Sequence, residues 1–97
     1  MINKNVLVIG RHQTMMYNVK RILEQEGYTV YNALQNEEAF DVFNNNSIDA
    51  VIIGGGVDNE SRILFHNYFA TKITEYRIID AHPSTVLVDL ENAFKKS

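Results

Sequence analysis

The residues of this chain that could do chemistry fall in three short stretches: Arg11-His12, Gly54-Gly55-Gly56 with Asp58 close behind, and Asp80-Ala81-His82. A run of glycines lets backbone amides approach a ligand closely, and an arginine beside it could pair with a phosphate or carboxylate. Asp58, Glu60 and Asp80 act against this, because they bring negative charge into the same stretches. No GxGxxG follows the first apolar run and no GxxxxGK[ST] occurs anywhere, so the nucleotide-binding fingerprints are absent. A tight loop that needs positive φ accounts for the glycines better than an anion site does.

A metal site would require His12, His82 and Asp58 or Asp80 to converge, since these are ligand types for a borderline or hard cation. No histidine is spaced to share a helix face with a second ligand, and no metal is expected. Ser61, Ser84, Asp80 and the histidines offer groups for hydrolysis or transfer, yet no G-x-S-x-G elbow frames a serine. The chain has no cysteine, which excludes disulfides, thiolate metal sites and cysteine nucleophiles. The expectation is a protein that is not an enzyme and carries no cofactor.

These residues must be positioned by alternating elements. Four apolar runs of strand length, Val6–Ile9, Thr29–Asn32, Ala50–Ile53 and Arg77–Ile79, alternate with segments of helical periodicity, the pattern of successive βα units around a parallel sheet. The first and third runs are almost wholly apolar, as central strands covered on both faces must be. The second and fourth are more polar and suit edges. Met15, Met16, Val19, Ile22 and Leu23 predict a first helix, with Gly27 as its left-handed C-cap residue. Asn36 is a candidate cap for a second helix carrying Ala39, Phe40, Val42 and Phe43, which Asn44-Asn45-Asn46 ends. Asn59 or Ser61 would cap a third helix running to about Ile73. Pro83 opens a final helix bearing Val86, Leu87, Leu90, Ala93 and Phe94. Reading Thr85–Val88 as a fifth strand would leave too few residues for a parallel crossover.

With 97 residues the chain holds one core, so residues 1–97 are expected to form a single α/β domain. Its 45% apolar and 22% charged content fits an ordered globular protein. A net charge of −3 lacks the basic excess of a nucleic-acid binder. No stretch nears the ~18 apolar residues of a membrane span, and Val6–Ile9 is too short for a signal-peptide core, so a cytoplasmic location with no membrane or nucleic-acid partner is expected.

A hydrophobic first strand, a helix, a short second strand, a helix and then Ile48-Asp49-Ala50-Val51-Ile52-Ile53 resembles the layout of response-regulator receiver domains over residues 4–80. The resemblance implies a small three-layer, flavodoxin-like fold whose four parallel strands lie in the order 2-1-3-4 with helices on both faces. In receivers an acidic pair follows the first strand, the phospho-accepting aspartate ends the third, a Ser or Thr ends the fourth and a lysine ends the fifth. Here Gly10-Arg11 replaces the acidic pair and Gly54 stands where the acceptor is expected. The fourth strand runs into Asp80-Ala81. Neither Gly nor Arg can ligate a hard cation or attack a phosphodonor. The implied protein is a degenerate receiver that is not phosphorylated.

Ile63, Leu64, Phe65, Tyr68, Phe69 and Ile73 cover more of the third helix than the ~100° stripe needed to lie on a sheet. Aromatic surface should remain outside, with Phe65, Tyr68 and Phe69 at an interface, and a homodimer through the third helix, the fourth strand or the final helix is expected. Two functions compete. The first is a noncatalytic pseudo-receiver that signals through protein contacts. The second is a small-molecule or anion sensor that uses Arg11, His12, Gly54, Gly55, Gly56 and His82 at the rim.

Overall fold

The computed structural model describes residues 4–80 and 84–96. The elements are β1 (Asn5–Ile9), α1 (Gln13–Gln25), β2 (Thr29–Ala33), α2 (Asn36–Asn45), β3 (Ala50–Ile53), α3 (Asn59–Phe69), a 3-10 turn (Glu75–Arg77), β4 (Ile78–Asp80) and α4 (Val86–Lys95). All four strands are parallel in the order β2-β1-β3-β4, as expected, and Ile9 stands level with Ala33 and Ile53, and Ile53 with Asp80. The two apolar strands, β1 and β3, lie at the centre.

Alternation along the strands sends successive side chains to opposite faces and so divides the core in two. Val6, Val8, Ala50 and Ile52 face α1 and α4, meeting Leu23, Val86 and Leu90. Leu7, Ile9, Val51 and Ile53 face α2 and α3, meeting Phe43, Phe65 and Phe69. Right-handed crossovers require this division, because the chain first steps from β1 to β2 and then reverses through α2 to β3.

Local chemistry explains the boundaries. Gly27 sits at φ 97° after α1. Its amide donates to Glu24 and that of Tyr28 to Leu23, which is the Schellman arrangement expected of a glycine there. At the end of α2, the Asn45 and Asn46 side chains donate back to the Asp41 and Val42 carbonyls. Val86–Lys95 is helical, in keeping with the helix expectation for this segment, while Pro83 lies outside the described residues.

Three expectations need correction. Asn36 is the first residue inside α2 and Gln35 precedes it, so the Asn36 side chain is free for another use. The cap of α3 is Asp58, which accepts from the Ser61 amide, in place of Asn59 or Ser61. That helix stops at Phe69, short of Ile73, because the Lys72 and Ile73 amides both turn back onto the Phe69 carbonyl.

The interface expectation for α3 also changes. Phe65 and Phe69 are fully buried and cannot present a surface. The sequence pattern suggested an excess of apolar surface because it omitted α2, which lies on the same face of the sheet. Phe43 packs 4.6 Å from Phe69 and Phe40 4.9 Å from Tyr68, centroid to centroid, so the two helices are joined by an aromatic seam. Tyr68 is half-buried and donates its hydroxyl to Asn44. The apolar residues that α3 does expose are Ile63 and Leu64. Among the described residues no helix is long and apolar enough to cross a membrane.

Candidate functional site

The reversal between β1 and β3 opens a crevice at the carboxyl ends of the strands, the place where doubly wound sheets hold ligands. Gly10, Arg11 and His12 leave β1 there, Gly54 to Asp58 leave β3, and Asp80 ends β4. His82 lies outside the described residues.

Arg11 does not point at a vacant crevice. Its guanidinium donates to the Leu34 carbonyl at 2.8 Å and to the Asn36 side-chain oxygen, and it lies 3.9 Å from Asp58. Asn36 in turn donates to the Ser61 hydroxyl at 3.0 Å, and the Ser61 amide donates to Asp58 at 3.0 Å. Arg11, Asn36, Ser61 and Asp58 thus form a closed ring that ties the end of β1 to the starts of α2 and α3. Hydrogen bonds from the Ser61 backbone and then its side chain hold the Asp58 carboxyl below the usual aspartate range, with a smaller contribution from Arg11. Ser61 is buried within this ring, so the serine considered as a nucleophile serves as a connector.

A second cluster is built on Arg62. Its Nη1 meets Asp80 at 2.6 Å, and its Nη2 donates to the carbonyls of Gly54 and Val57. His66 Nε2 takes the other Asp80 oxygen at 2.9 Å. Neither Arg62 nor His66 was expected here from sequence. The available signal was their i, i+4 spacing, which places them on one flank of α3.

Gly54, Gly55 and Gly56 do not adopt positive φ, contrary to the tight-loop expectation, and close approach of neighbouring atoms explains Gly54 and Gly56 instead. A Cβ at Gly54 would stand 3.2 Å from the Ile9 carbonyl oxygen, the atom that accepts the Gly54 amide at 2.8 Å. A Cβ at Gly56 would meet the His12 ring at 3.0 Å, and one at Gly10 would meet Met16 at 2.9 Å. His12 therefore packs against the glycine loop. Beneath this loop lies a cavity of about 40 Å³ bounded by Met16, Val19, Ile52 and Val86 among others. That volume suits a water or two and falls far below the ~300 Å³ at which small-molecule pockets begin. Among the described residues no three His, Cys, Asp or Glu side chains gather as a metal would require.

No family model matches the sequence. No curated protein matches it by sequence. Solved structures do match in fold. A response-regulator receiver domain protein from Clostridium thermocellum superposes with a TM-score of 0.71 at 18% identity, covering 96% of this chain and 95% of that one. The chemotaxis protein CheY4 of Vibrio cholerae gives a TM-score of 0.72 at 15% identity over 95% of this chain and 99% of its own. A CheY-like receiver domain protein from Methanospirillum hungatei gives 0.70 at 18% identity, with 99% and 100% covered. The chain has the receiver fold over almost its whole length.

Proposed function

We propose that this protein is a receiver-fold signalling module that works through protein contacts and does not pass through an aspartyl phosphate. The observation that carries the reading is the closed ring of Arg11, Asn36, Ser61 and Asp58. Where a receiver would hold a divalent cation between carboxylates, this chain has a guanidinium already paired with its own groups. A fixed positive charge there opposes cation binding, and Gly54 offers no nucleophile after β3.

Incubation with a small acyl-phosphate donor and magnesium, followed by intact-mass measurement, tests this directly. The mass is expected to stay unchanged. A stoichiometric gain of one phosphoryl group would show that another carboxylate accepts phosphate and would end the proposal. Gly54→Asp is expected to remain unlabelled as well, because Gly10 and Arg11 still provide no cation ligands and the new Cβ is tight against the Ile9 carbonyl.

Self-association belongs to the same reading. It is supported by the exposed Ile63 and Leu64 on α3 and by β4, a three-residue strand at the edge of the sheet. The competing reading, a sensor holding an anion between Arg11, His12 and the glycine loop, has less support. Arg11 is engaged by its own fold, and the cavity beneath the loop is small and lined mainly by apolar side chains.

A further inference from the structure

The half-buried arginines of this protein differ in one respect. Arg11 and Arg62 each donate to several acceptors supplied by the fold. Arg77, equally half-buried, has no side-chain hydrogen bond or ion pair among the described residues, and its Nε is buried without an acceptor. The contact it does make is with the Phe94 ring, whose centroid lies 5.0 Å from Cζ. A cation held partly out of water without an acceptor is costly, and an aromatic face offsets only part of that cost. Nε itself is closed off, but the Nη groups are neither buried nor hydrogen-bonded within the fold, and these are open to an acceptor from outside the chain.

Arg77 lines an open cleft of about 500 Å³ together with Asp49, Thr71, Lys72 and Thr74. The cleft lies at the amino ends of β3 and β4, opposite the glycine rim. The Nζ of Lys72 stands 5.8 Å from the Tyr68 centroid, which leaves its charge available. Asp49 is the opposing carboxylate, but one of its oxygens already accepts the Asn5 amide at 2.8 Å. Lys4 also lies over Phe94, and Lys96 over Tyr76, so these cations gather at this pole together with the carboxylates of Glu26 and Glu91 near Tyr28, which stacks on Phe94. Glu75 is exposed on the 3-10 turn beside it and does not pair with Arg77.

We propose that this cleft binds an oxyanion, the phosphate or carboxylate group of a small molecule, with Arg77 and Lys72 supplying the charge and Thr74 a hydroxyl. The fork of Arg77 matches either group, and its packing on Phe94 holds the fork in place without neutralising it. This site is separate from the rim and does not depend on the pseudo-receiver reading.

The test is an NMR titration with inorganic phosphate and, separately, with citrate, at ionic strength held constant with sodium chloride. Saturable shifts of the Arg77 Nε–H and the Thr71–Thr74 amides are expected. Response to phosphate alone would assign a phosphate ester, response to citrate alone a carboxylate, and response to both a general oxyanion site. Arg77→Lys retains the charge and much of the stem over Phe94 yet loses the fork, and should weaken binding about tenfold. Lys72→Met should weaken it several-fold. Three results would overturn the proposal: no saturable shift at tens of millimolar, the same shifts with chloride alone, or unchanged affinity in Arg77→Lys.

Discussion

Arg62 donates from Nη2 to the Gly54 carbonyl at 2.8 Å while its Nη1 meets Asp80 at 2.6 Å. One side chain on the first turn of α3 thereby joins the end of β3, the glycine loop and the end of β4. A loop of three glycines is entropically expensive to order. The bonds from Arg62 to Gly54 and Val57 offset that cost and hold the rim in one shape.

Removing that fork should loosen the loop. Arg62→Ala is expected to destabilise the domain by about 1–2 kcal/mol, mostly through loss of its bonds to the Gly54 and Val57 carbonyls, of which Gly54 keeps the Val57 amide. The Asp80 pair adds little, because that carboxylate is nearly half exposed. Arg62→Lys should recover only part of the loss, since an ammonium cannot reach carbonyls and carboxylate as a fork does. Urea denaturation of the three proteins checks this, and equal midpoints would show that the loop is held by other contacts.

The corrected view of α3 separates its inner and outer faces. Phe65→Ala should cost about 3–5 kcal/mol, as expected for truncating a fully buried aromatic. Ile63→Glu should change protomer stability by no more than about 0.5 kcal/mol, the usual range for an exposed position. If the outer face of α3 mediates self-association, Ile63→Glu shifts sedimentation towards the monomer while thermal stability stays unchanged. Sedimentation identical to the parent protein would remove this face from the interface.

Asp58 gives the rim a defined acid sensitivity. Its folded carboxyl lies below the ordinary aspartate range, chiefly through hydrogen bonds from Ser61. The unfolded chain therefore takes up the proton first as pH falls. The contribution of Asp58 is fully present above the ordinary aspartate value and is lost as pH drops through the lowered folded value. Asp58→Asn keeps an acceptor for the Ser61 amide but cannot titrate, so its stability curve should be flatter on the acid side. Parallel curves for the two proteins would refute the assignment.

Much of the fold was legible in sequence because its determinants are local. The apolar runs at β1 and β3, the polar edges at β2 and β4, and Gly27 after α1 each carry their signal within a few residues. The residues that follow β1 and β3, Gly10, Arg11 and Gly54, were equally legible, since they can be read by position. The end of α3 was harder to read, because it depends on how the chain turns back at Lys72 and Ile73.

By itself the sequence determined a parallel βα domain with a rim of Arg11, His12 and Gly54–Gly56, since residue type and periodicity are properties of short segments. Tertiary structure alone decided what those residues do. Arg11 meets Asn36 across 25 positions of chain, Arg62 meets Asp80 across 18, and Phe65 is buried because α2 folds onto the same face as α3. Partners chosen at such separations follow from packing and the handedness of the crossovers, and no local pattern records them.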